Sequence, residues 1–183
     1  MDTDEFEWMV VQTVCPVREL SAAERLSALN QHIQYEPRNV RVNSQNAPAL
    51  MEGWDIVILA VDNLETRLAV NRACCGAGIT LVNGGVEGFY GTVQIVRPDM
   101  TPCLECLYGE AQQESRTVPS LGAPVAVVSS LMADAALVIL LGMKGPLGSD
   151  LLCIDCESFS FARAEIMRRG DCAACGIPPC AAA

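Results

Sequence analysis

Residues 55–82 read DIVILAVDNLETRLAVNRACCGAGITLV, and this stretch decides the fold. Asp55–Val61 is a continuous apolar run with several β-branched residues, which predicts a strand covered by helices on both faces. A helix is predicted over Glu65–Cys75, and the glycines after it lead into a second apolar strand, Ile79–Val82. Two strands joined by one helix in so short a stretch form a right-handed crossover of a parallel sheet. We therefore expect an α/β protein with a Rossmann-like, mostly parallel sheet and helices on both faces.

The sequence on either side of this unit continues the alternation of helices and strands. Arg18–Leu29 has an apolar residue at every third position, which predicts an amphipathic helix that lies on the sheet. Asn83-Gly84-Gly85 is expected to break the chain after the second strand. The other predicted elements are a strand over Phe89–Val96, a helix over Val125–Leu141, and strands over Leu151–Asp155 and Phe159–Ile166. With no long linker, we expect a single domain over residues 1–176 and a flexible tail over residues 177–183.

Composition and charge limit the classes of partner. The 183 residues are 51% hydrophobic, as expected of a globular domain, and carry a formal net charge of −10, which argues against nucleic acids and anionic membranes as partners. The apolar segment Val118–Met143 contains Asp134, which favours a core helix over a membrane span. Ten cysteines behind an acidic N-terminus that does not resemble a signal peptide favour a reducing, cytoplasmic location.

Four cysteines form two Cys-x-x-Cys pairs, which are Cys103 with Cys106 and Cys172 with Cys175. Each pair can present two thiolates to one ion, and two pairs complete the tetrahedral shell of zinc. A shell of four protein ligands leaves no position for water or substrate, so the predicted zinc site is structural and any chemistry lies elsewhere. Redox-active or disulfide-bonded cysteines are the alternative, which the identical spacing of the two pairs disfavours.

Asp62 and Asn63 directly follow the predicted strand Asp55–Val61. Open α/β sheets bind their ligands at the carboxyl ends of the strands, and a carboxylate there can hold Mg²⁺ beside a nucleotide phosphate. The alternative is that the two residues only cap the following helix, because aspartate and asparagine are favoured N-caps. The residues by themselves give the two interpretations equal weight.

The run from Val61 to Gly109 closely resembles the ThiF/MoeB/HesA family of adenylyltransferases, which are relatives of the ubiquitin-activating enzymes. The similar features are the strand end Asp62-Asn63, Glu65-x-Arg67, Asn71, Gly84-Gly85, Gly91 and Thr101-Pro102-Cys103-x-x-Cys106. The resemblance covers nearly the whole chain, and its motifs are specific in combination.

The resemblance implies a domain that uses Mg-ATP to adenylate the C-terminal glycine of a ubiquitin-like sulfur-carrier protein, in thiamin- or molybdopterin-type sulfur transfer. It implies that Asp62 positions the magnesium ion and that Arg18 stands where the family has a phosphate-binding lysine. The other residues that it places at the nucleotide are Asp2, Asp4, Gln12, Asn63 and Arg67. Similar proteins are commonly dimeric, so a homodimer or an association with a homologue is expected.

The chain departs from the family pattern at two places. The sequence contains no G-x-G-G-x-G turn, so the match starts midway through the family's fold, and we expect an N-terminally truncated domain. Ser115 stands near the point where many members carry a reactive cysteine, and a serine cannot form a thioester or a persulfide. One alternative is a catalytically incomplete, zinc-stabilised module that binds a ubiquitin-like protein or a full-length homologue. The other is that the given start is internal to a longer gene product.

Overall fold

The computed structural model describes residues 7–8, 11–12, 16–109, 120–143, 145 and 147–176, with side chains from residue 23 onward. The chain divides into two compact units, Met1–Val42 and Asn43–Ala183. The expected single domain over residues 1–176 stays a prediction, and the expected tail over residues 177–183 lies outside the described residues.

The first unit contains a helix and two short parallel strand pairs. The helix, α1, spans Pro16–Leu29. It confirms the predicted helix and begins two residues earlier, at a proline, whose fixed φ suits the first turn of a helix. The strand pairs are β1 (Glu7–Trp8) with β3 (Gln34–Tyr35), and β2 (Val11–Gln12) with β4 (Arg38–Asn39).

The second unit is built around a five-stranded sheet. Its strands, in their order across the sheet, are β5 (Ile56–Leu59), β6 (Thr80–Glu87), β7 (Tyr90–Val96), β8 (Asp150–Asp155) and β9 (Ser160–Glu165). The helices in the described part of this unit are α2 (Ala47–Met51), α3 (Leu64–Ala77), α4 (Leu104–Tyr108) and α5 (Gly122–Leu140). Every helix and strand that was predicted for this unit is therefore present, although β6 is longer than expected.

The strand directions differ from the expected mostly parallel sheet. β5 and β6 are parallel, as the crossover through α3 requires, but the pairs β6–β7, β7–β8 and β8–β9 are antiparallel. Short connections explain two of these reversals, because only residues 88–89 join β6 to β7 and only residues 156–159 join β8 to β9. Parallel neighbours need a crossover of about a dozen residues or more. The α/β class is confirmed, and the sheet is mixed.

Helices cover both faces of the sheet, as expected. Successive residues of a strand point to opposite faces. In β6, Val82 lies in a buried cluster with Val128 and Met132 of α5. The next residue, Asn83, receives a hydrogen bond from Arg67 of α3. The middle of β6, where its parallel pairing with β5 ends, therefore lies between α3 and α5.

The glycines of β6 and β7 allow α5 to approach the sheet closely. A break of the strand was expected at Asn83-Gly84-Gly85, and this prediction is wrong. The three residues lie within β6 and pair with β7. A Cβ on Gly84 would be 2.1 Å from Sδ of Met132, and a Cβ on Gly91 would be 2.4 Å from Cγ2 of Val128. The glycines are needed for this packing and not for a turn.

One face of α5 is buried and the opposite face is exposed. The buried residues are Pro124, Val128, Met132, Ala135 and Ala136. Val125 and Leu137 are among the exposed ones. By length and composition this helix could also cross a membrane. The face of α5 that packs on β6 and β7 is buried, as expected of a core helix. The opposite face is not covered by the sheet. The absence of a membrane partner stays a prediction.

We expect Gly91→Ala to lower the free energy of unfolding by about 1–3 kcal/mol, because branched Val128 has no flexible end that could make room for the new Cβ. Gly76→Ala is the matched control. Gly76 lies in α3 with open space around its Cα, so alanine should raise the free energy of unfolding by about 0.5–1 kcal/mol. Urea unfolding followed by circular dichroism measures both, and an equal effect of the two substitutions would contradict this account of α5 packing.

Candidate functional site

The four cysteines of the two Cys-x-x-Cys pairs converge on one point. Their Sγ atoms all lie within 4.8 Å of one another. The Sγ–Sγ distance is 4.0 Å for Cys103–Cys106, 3.6 Å for Cys103–Cys172 and 3.4 Å for Cys106–Cys175. In a tetrahedral site with metal–sulfur bonds of about 2.3 Å, the sulfurs lie about 3.8 Å apart. The predicted ligand set is therefore confirmed as a cluster that could hold one metal ion.

The same distances argue against the disulfide alternative. The sulfurs of a disulfide are about 2.05 Å apart, well below the shortest of the three separations above. All four cysteines are free, and three of them are buried. The arrangement is that of four ligands around a common centre and not of two bonded pairs.

The first cysteine pair lies in a turn that β7 holds in place. Thr101 Oγ1 accepts a hydrogen bond of 2.7 Å from the backbone N of Arg97 and so closes the chain after β7. Gln94 Nε2 of β7 donates to the carbonyl oxygen of Pro102 at 3.0 Å. Cys103 is the N-cap residue of α4. The end of β7 thus positions the start of the cysteine turn.

The second cysteine pair lies in a tight turn that a glycine closes. Gly176 N donates to Cys172 O at 2.7 Å, and a Cβ on Gly176 would be only 2.3 Å from that oxygen. No larger residue fits there without displacing the turn. Arg168 fastens this turn to the loop after β7, since its Nε donates to Cys175 O at 3.0 Å and its Nη1 to Asp99 O at 2.6 Å.

Burial acts to raise the pKa of every cysteine in the cluster. It is the main cause that raises the pKa values of Cys106 and Cys175. The pKa of Cys103 is raised first by a hydrogen bond with Cys75 and then by burial. Burial also acts to raise the pKa of Cys172, but hydrogen bonds from backbone N–H groups of its own turn outweigh it and the pKa is lowered. A cation is therefore needed for all four thiols to ionise together, as metal binding requires.

A second candidate site lies at the carboxyl end of β5. Asn63 is the N-cap of α3, since its Oδ1 accepts a hydrogen bond of 2.8 Å from Thr66 N. Asp62, one residue earlier, is exposed, and its Oδ1 lies 3.5 Å from Asn63 Nδ2. The capping interpretation therefore applies to Asn63. The position of Asp62 is the one at which open α/β sheets bind ligands.

Arg67 joins the end of β5 to the middle of β6 beside Asp62. Its Nη1 donates to Asn83 Oδ1 and, at 2.8 Å, to Gly84 O, both in β6. Its Nη2 donates to Val61 O, just after β5. Burial lowers the pKa of Arg67, although electrostatic interactions with Tyr108 and Asp62 act in the opposite direction. An arginine remains protonated at neutral pH. The guanidinium of Arg67 is thus engaged by groups of the protein. A direct contact of Arg67 with a nucleotide stays a prediction.

The remaining predicted nucleotide residues belong to the first unit. Gln12 lies in β2 and Arg18 in α1, but their side chains lie outside the described part of the chain. Asp2 and Asp4 lie wholly outside it, as does Ser115. The roles assigned to these residues stay predictions.

Two contacts of α3 with the first cysteine turn were not predicted from the sequence. Asn71 Oδ1 accepts a hydrogen bond of 3.0 Å from Leu104 N. Arg72 Nε lies 2.5 Å from Glu105 Oε1, and the Glu105 side chain is only 11% exposed. The one signal in the sequence was Asn71 itself, a polar residue among the apolar ones of a predicted helix. Its partner on α4 cannot be identified without the tertiary structure.

Comparison with known proteins identifies the family. The family model described as the ThiF family matches residues 13–174. The chain belongs to the ThiF family. Its run from Val61 to Gly109, on which the predicted resemblance rested, begins next to Asp62 and ends in the first cysteine turn, and so contributes to both candidate sites of this ThiF-family chain.

Several relatives are similar over most of this chain. It is 37% identical over 171 residues to the sulfur carrier protein adenylyltransferase of Thermus thermophilus, covering 87% of this chain and 63% of that protein. It is 34% identical to the SAMP-activating enzyme E1 of Haloferax volcanii, covering 85% of this chain and 59% of that protein. It is 30% identical to the adenylyltransferase and sulfurtransferase MOCS3 of Culex quinquefasciatus, covering 87% and 38%. The chain thus spans less than two thirds of the length of each of these relatives.

Solved structures with the same fold include those of E. coli MccB. The MccB structure with MccA-N7isoASN has a TM-score of 0.78 at 17% identity, covering 93% of this chain and 60% of that chain. The MccB structure with ATP has a TM-score of 0.71 at 15% identity, covering 93% and 59%. At these identities the likeness shows a shared fold.

We expect Cys106→Ser to abolish stoichiometric metal binding and to lower the midpoint of thermal unfolding, because the cluster loses one of its four thiolates. Plasma mass spectrometry of the purified protein measures the metal content, and circular dichroism measures unfolding with and without a chelator. Cys153→Ser is the control, since it removes a half-buried thiol of β8 outside the cluster and should keep the metal. Equal metal content in the two variants would contradict the assignment of the site.

We expect Arg67→Met to lower the free energy of unfolding by about 3 kcal/mol, because it leaves the acceptors on Val61, Asn83 and Gly84 without their charged donor. Arg163→Met is the control, because Arg163 of β9 is 59% exposed and forms only a 3.9 Å ion pair with Asp150. Its removal should cost about 0–1 kcal/mol. Urea unfolding compares the two, and a loss in Arg67→Met no larger than in the control would show that the guanidinium does not brace the strand ends.

Proposed function

We propose that this chain activates the C-terminal glycine of a ubiquitin-like sulfur-carrier protein by adenylation with Mg-ATP, in sulfur transfer of the thiamin or molybdopterin type. The observation that carries the proposal is the exposed carboxylate of Asp62 at the carboxyl end of β5, in a chain that is 37% identical to a sulfur carrier protein adenylyltransferase. The ThiF-family match over residues 13–174 supports the further proposal that residues 1–176 act as one domain.

The reaction forms a bond between a carrier carboxylate oxygen and the α-phosphorus of ATP, while the bond to pyrophosphate breaks. Both reactants are anions, so their approach must be made favourable by positive charge. Bound Mg²⁺ supplies that charge on the phosphates and stabilises the leaving pyrophosphate. Asp62 is the residue proposed to hold the ion, since carboxylate oxygens are its preferred protein ligands. Arg18 is proposed as a second cationic group, with Asp2, Asp4, Gln12 and Asn63 as further nucleotide contacts.

Arg67 supports this task from behind the site. Its bond to Val61 O fixes the peptide that immediately precedes Asp62, and its bonds to Asn83 and Gly84 fix the neighbouring strand. A ligand residue that is held in place loses less conformational freedom when it binds an ion. We therefore assign Arg67 the role of positioning Asp62.

We further propose that the ion in the four-cysteine cluster is zinc and that its role is structural. Four thiolates complete a tetrahedral shell, so no position remains for substrate or water. The cysteine turns lie beyond the end of β7, whereas Asp62 follows β5. The zinc site would hold the fold together, and the adenylation chemistry would take place at the edge of the sheet.

The proposed carrier needs an exposed surface on which to dock, and the outer part of the sheet offers one. All six residues of β9 are exposed. The side chains of Phe159, Phe161 and Tyr90 are 88%, 59% and 57% exposed. A sheet edge that no other described strand covers, with exposed aromatic residues, favours association with another protein. A homodimer or a complex with a homologue is the other proposed association, and the net charge of −10 disfavours nucleic acids and anionic membranes.

The exposed sheet edge also favours a second candidate function. A binding module that docks a ubiquitin-like protein or a full-length homologue requires this surface and the zinc cluster but no nucleotide chemistry. Ser115 agrees with such a role if it stands, as predicted, where many family members have a reactive cysteine. The two candidates differ in whether the isolated chain binds ATP. For either function we propose a cytoplasmic location, where the free thiols would remain reduced.

We expect the purified chain, with ATP, magnesium and a carrier that ends in Gly-Gly, to exchange labelled pyrophosphate into ATP. Asp62→Asn should slow this exchange on the order of 100-fold, the scale of losing several kcal/mol of charge stabilisation by the metal. Asp55→Asn is the control, because Asp55 is exposed just before the same strand begins and should leave the rate unchanged. If the unaltered chain shows neither exchange nor calorimetric ATP binding but binds the carrier, the adenylation proposal is wrong and the binding module is supported.

A further inference from the structure

Asn71 of α3 has a fully buried side-chain amide, and only its oxygen has a hydrogen-bond partner. Its side chain is 0% exposed. Its Oδ1 accepts the hydrogen bond from Leu104 N at 3.0 Å. Its Nδ2 is buried and has no hydrogen-bond partner of ordinary geometry in the described residues. Buried polar groups in folded proteins are nearly always paired, so an orphaned donor of this kind indicates a partner of another kind.

The group that this donor approaches is the sulfur of Cys103, the residue before Leu104. Cys103 is itself fully buried. The side chain of Asn71 is in contact with the side chain of Cys103. Oδ1 is already used by Leu104 N, so Nδ2 is the polar atom of Asn71 that remains for this sulfur. A neutral thiol is a weak acceptor, which agrees with the missing hydrogen bond at Nδ2.

We infer that Asn71 is a positioning residue of the metal centre: its Oδ1 holds the Cys103 turn, and its Nδ2 donates to the Cys103 thiolate once a metal ion is bound. This inference rests on the metal site proposed above and extends it to a residue outside the four ligands. A metal-bound thiolate carries negative charge, so the hydrogen bond it accepts is stronger than that to a neutral thiol. Asn71 therefore stabilises the metal-bound state more than the metal-free state.

The chemistry requires an amide at this position. A leucine of similar size would leave Leu104 N without its acceptor and the thiolate without its donor. An aspartate would keep the acceptor but would place a second negative charge beside the sulfur. The oxygen and the nitrogen of the side-chain amide thus have separate tasks, and Asn71→Asp changes only the nitrogen.

The helix that carries Asn71 connects the two candidate sites. α3 begins at Leu64, directly after the cap at Asn63, and it carries Arg67 at the strand ends and Asn71 at the cysteine turn. Arg72, the next residue, pairs with Glu105 of α4. The metal centre is thus fastened to the helix whose first turn lies beside Asp62.

Zinc affinity of the full chain tests the inference, measured by competition with a chromophoric chelator. We expect Asn71→Asp to weaken zinc binding about 10–100-fold, the range found for residues that support metal ligands. The cobalt-substituted protein should show an altered sulfur-to-cobalt absorption band, which reports directly on the thiolates. Asn39→Asp makes the same charge change at an exposed residue and should alter neither. Equal zinc affinity and cobalt spectra in Asn71→Asp and the unaltered protein would overturn the inference.

A second measurement needs no substitution, in case Asn71→Asp does not fold. In nitrogen-labelled protein, addition of ¹¹³Cd²⁺ should shift the side-chain amide signal of Asn71 and produce a through-hydrogen-bond coupling to the metal. Metal binding that leaves this signal unchanged would overturn the inference. A chain that binds neither zinc nor cadmium would overturn the metal site itself. Neither measurement uses ATP, so the outcome is independent of the adenylation proposal.

Discussion

Four thiol sulfurs must meet within 4.8 Å of one another, although Cys103 and Cys172 are 69 residues apart in the chain. This convergence constrains much of the second unit. β7 must end where Thr101 closes its turn. The β8–β9 hairpin must bring the chain back, and Arg168 must reach the loop after β7. A structural ion is a strong way to enforce such long-range closure, since metal binding contributes directly to folding when the ligands are scattered in sequence.

α3 is the element that the two candidate sites share. Asn63, Arg67 and Asn71 are spaced four residues apart, which places them along one face of the helix. Asn63 caps the helix, Arg67 braces the end of β5 against the middle of β6, and Asn71 holds the first cysteine turn. The polar group of each side chain forms a hydrogen bond within the protein. Polar residues at these three positions reduce the apolar surface that α3 can bury. In return, their hydrogen bonds fix the orientation of α3 relative to both candidate sites, because a buried hydrogen bond tolerates little displacement.

The sequence predicted those features that depend on local pattern. Apolar runs such as Asp55–Val61 predict strands, and the shared spacing of the two cysteine pairs predicts their convergence, because each signal lies within a few neighbouring residues. The role of Gly84 could not be predicted in the same way. A glycine that admits a side chain from α5 and a glycine that makes a turn are identical in sequence, and only the position of Met132 distinguishes them. Arg168 was missed for the same reason, since its partner at Asp99 is remote in the chain.

The sequence by itself determined the α/β class, the family, the crossover through α3 and the four cysteines that could hold a metal ion. These follow from periodicity, spacing and motif, which are properties of short segments. The tertiary structure decided that the sheet is mixed, that Asn63 and not Asp62 caps α3, and that Arg67 and Asn71 bind groups on β6 and α4. Those outcomes depend on which segments come to lie beside one another. A buried polar group takes its partner from whatever the fold brings within hydrogen-bond distance, and no local pattern records that choice.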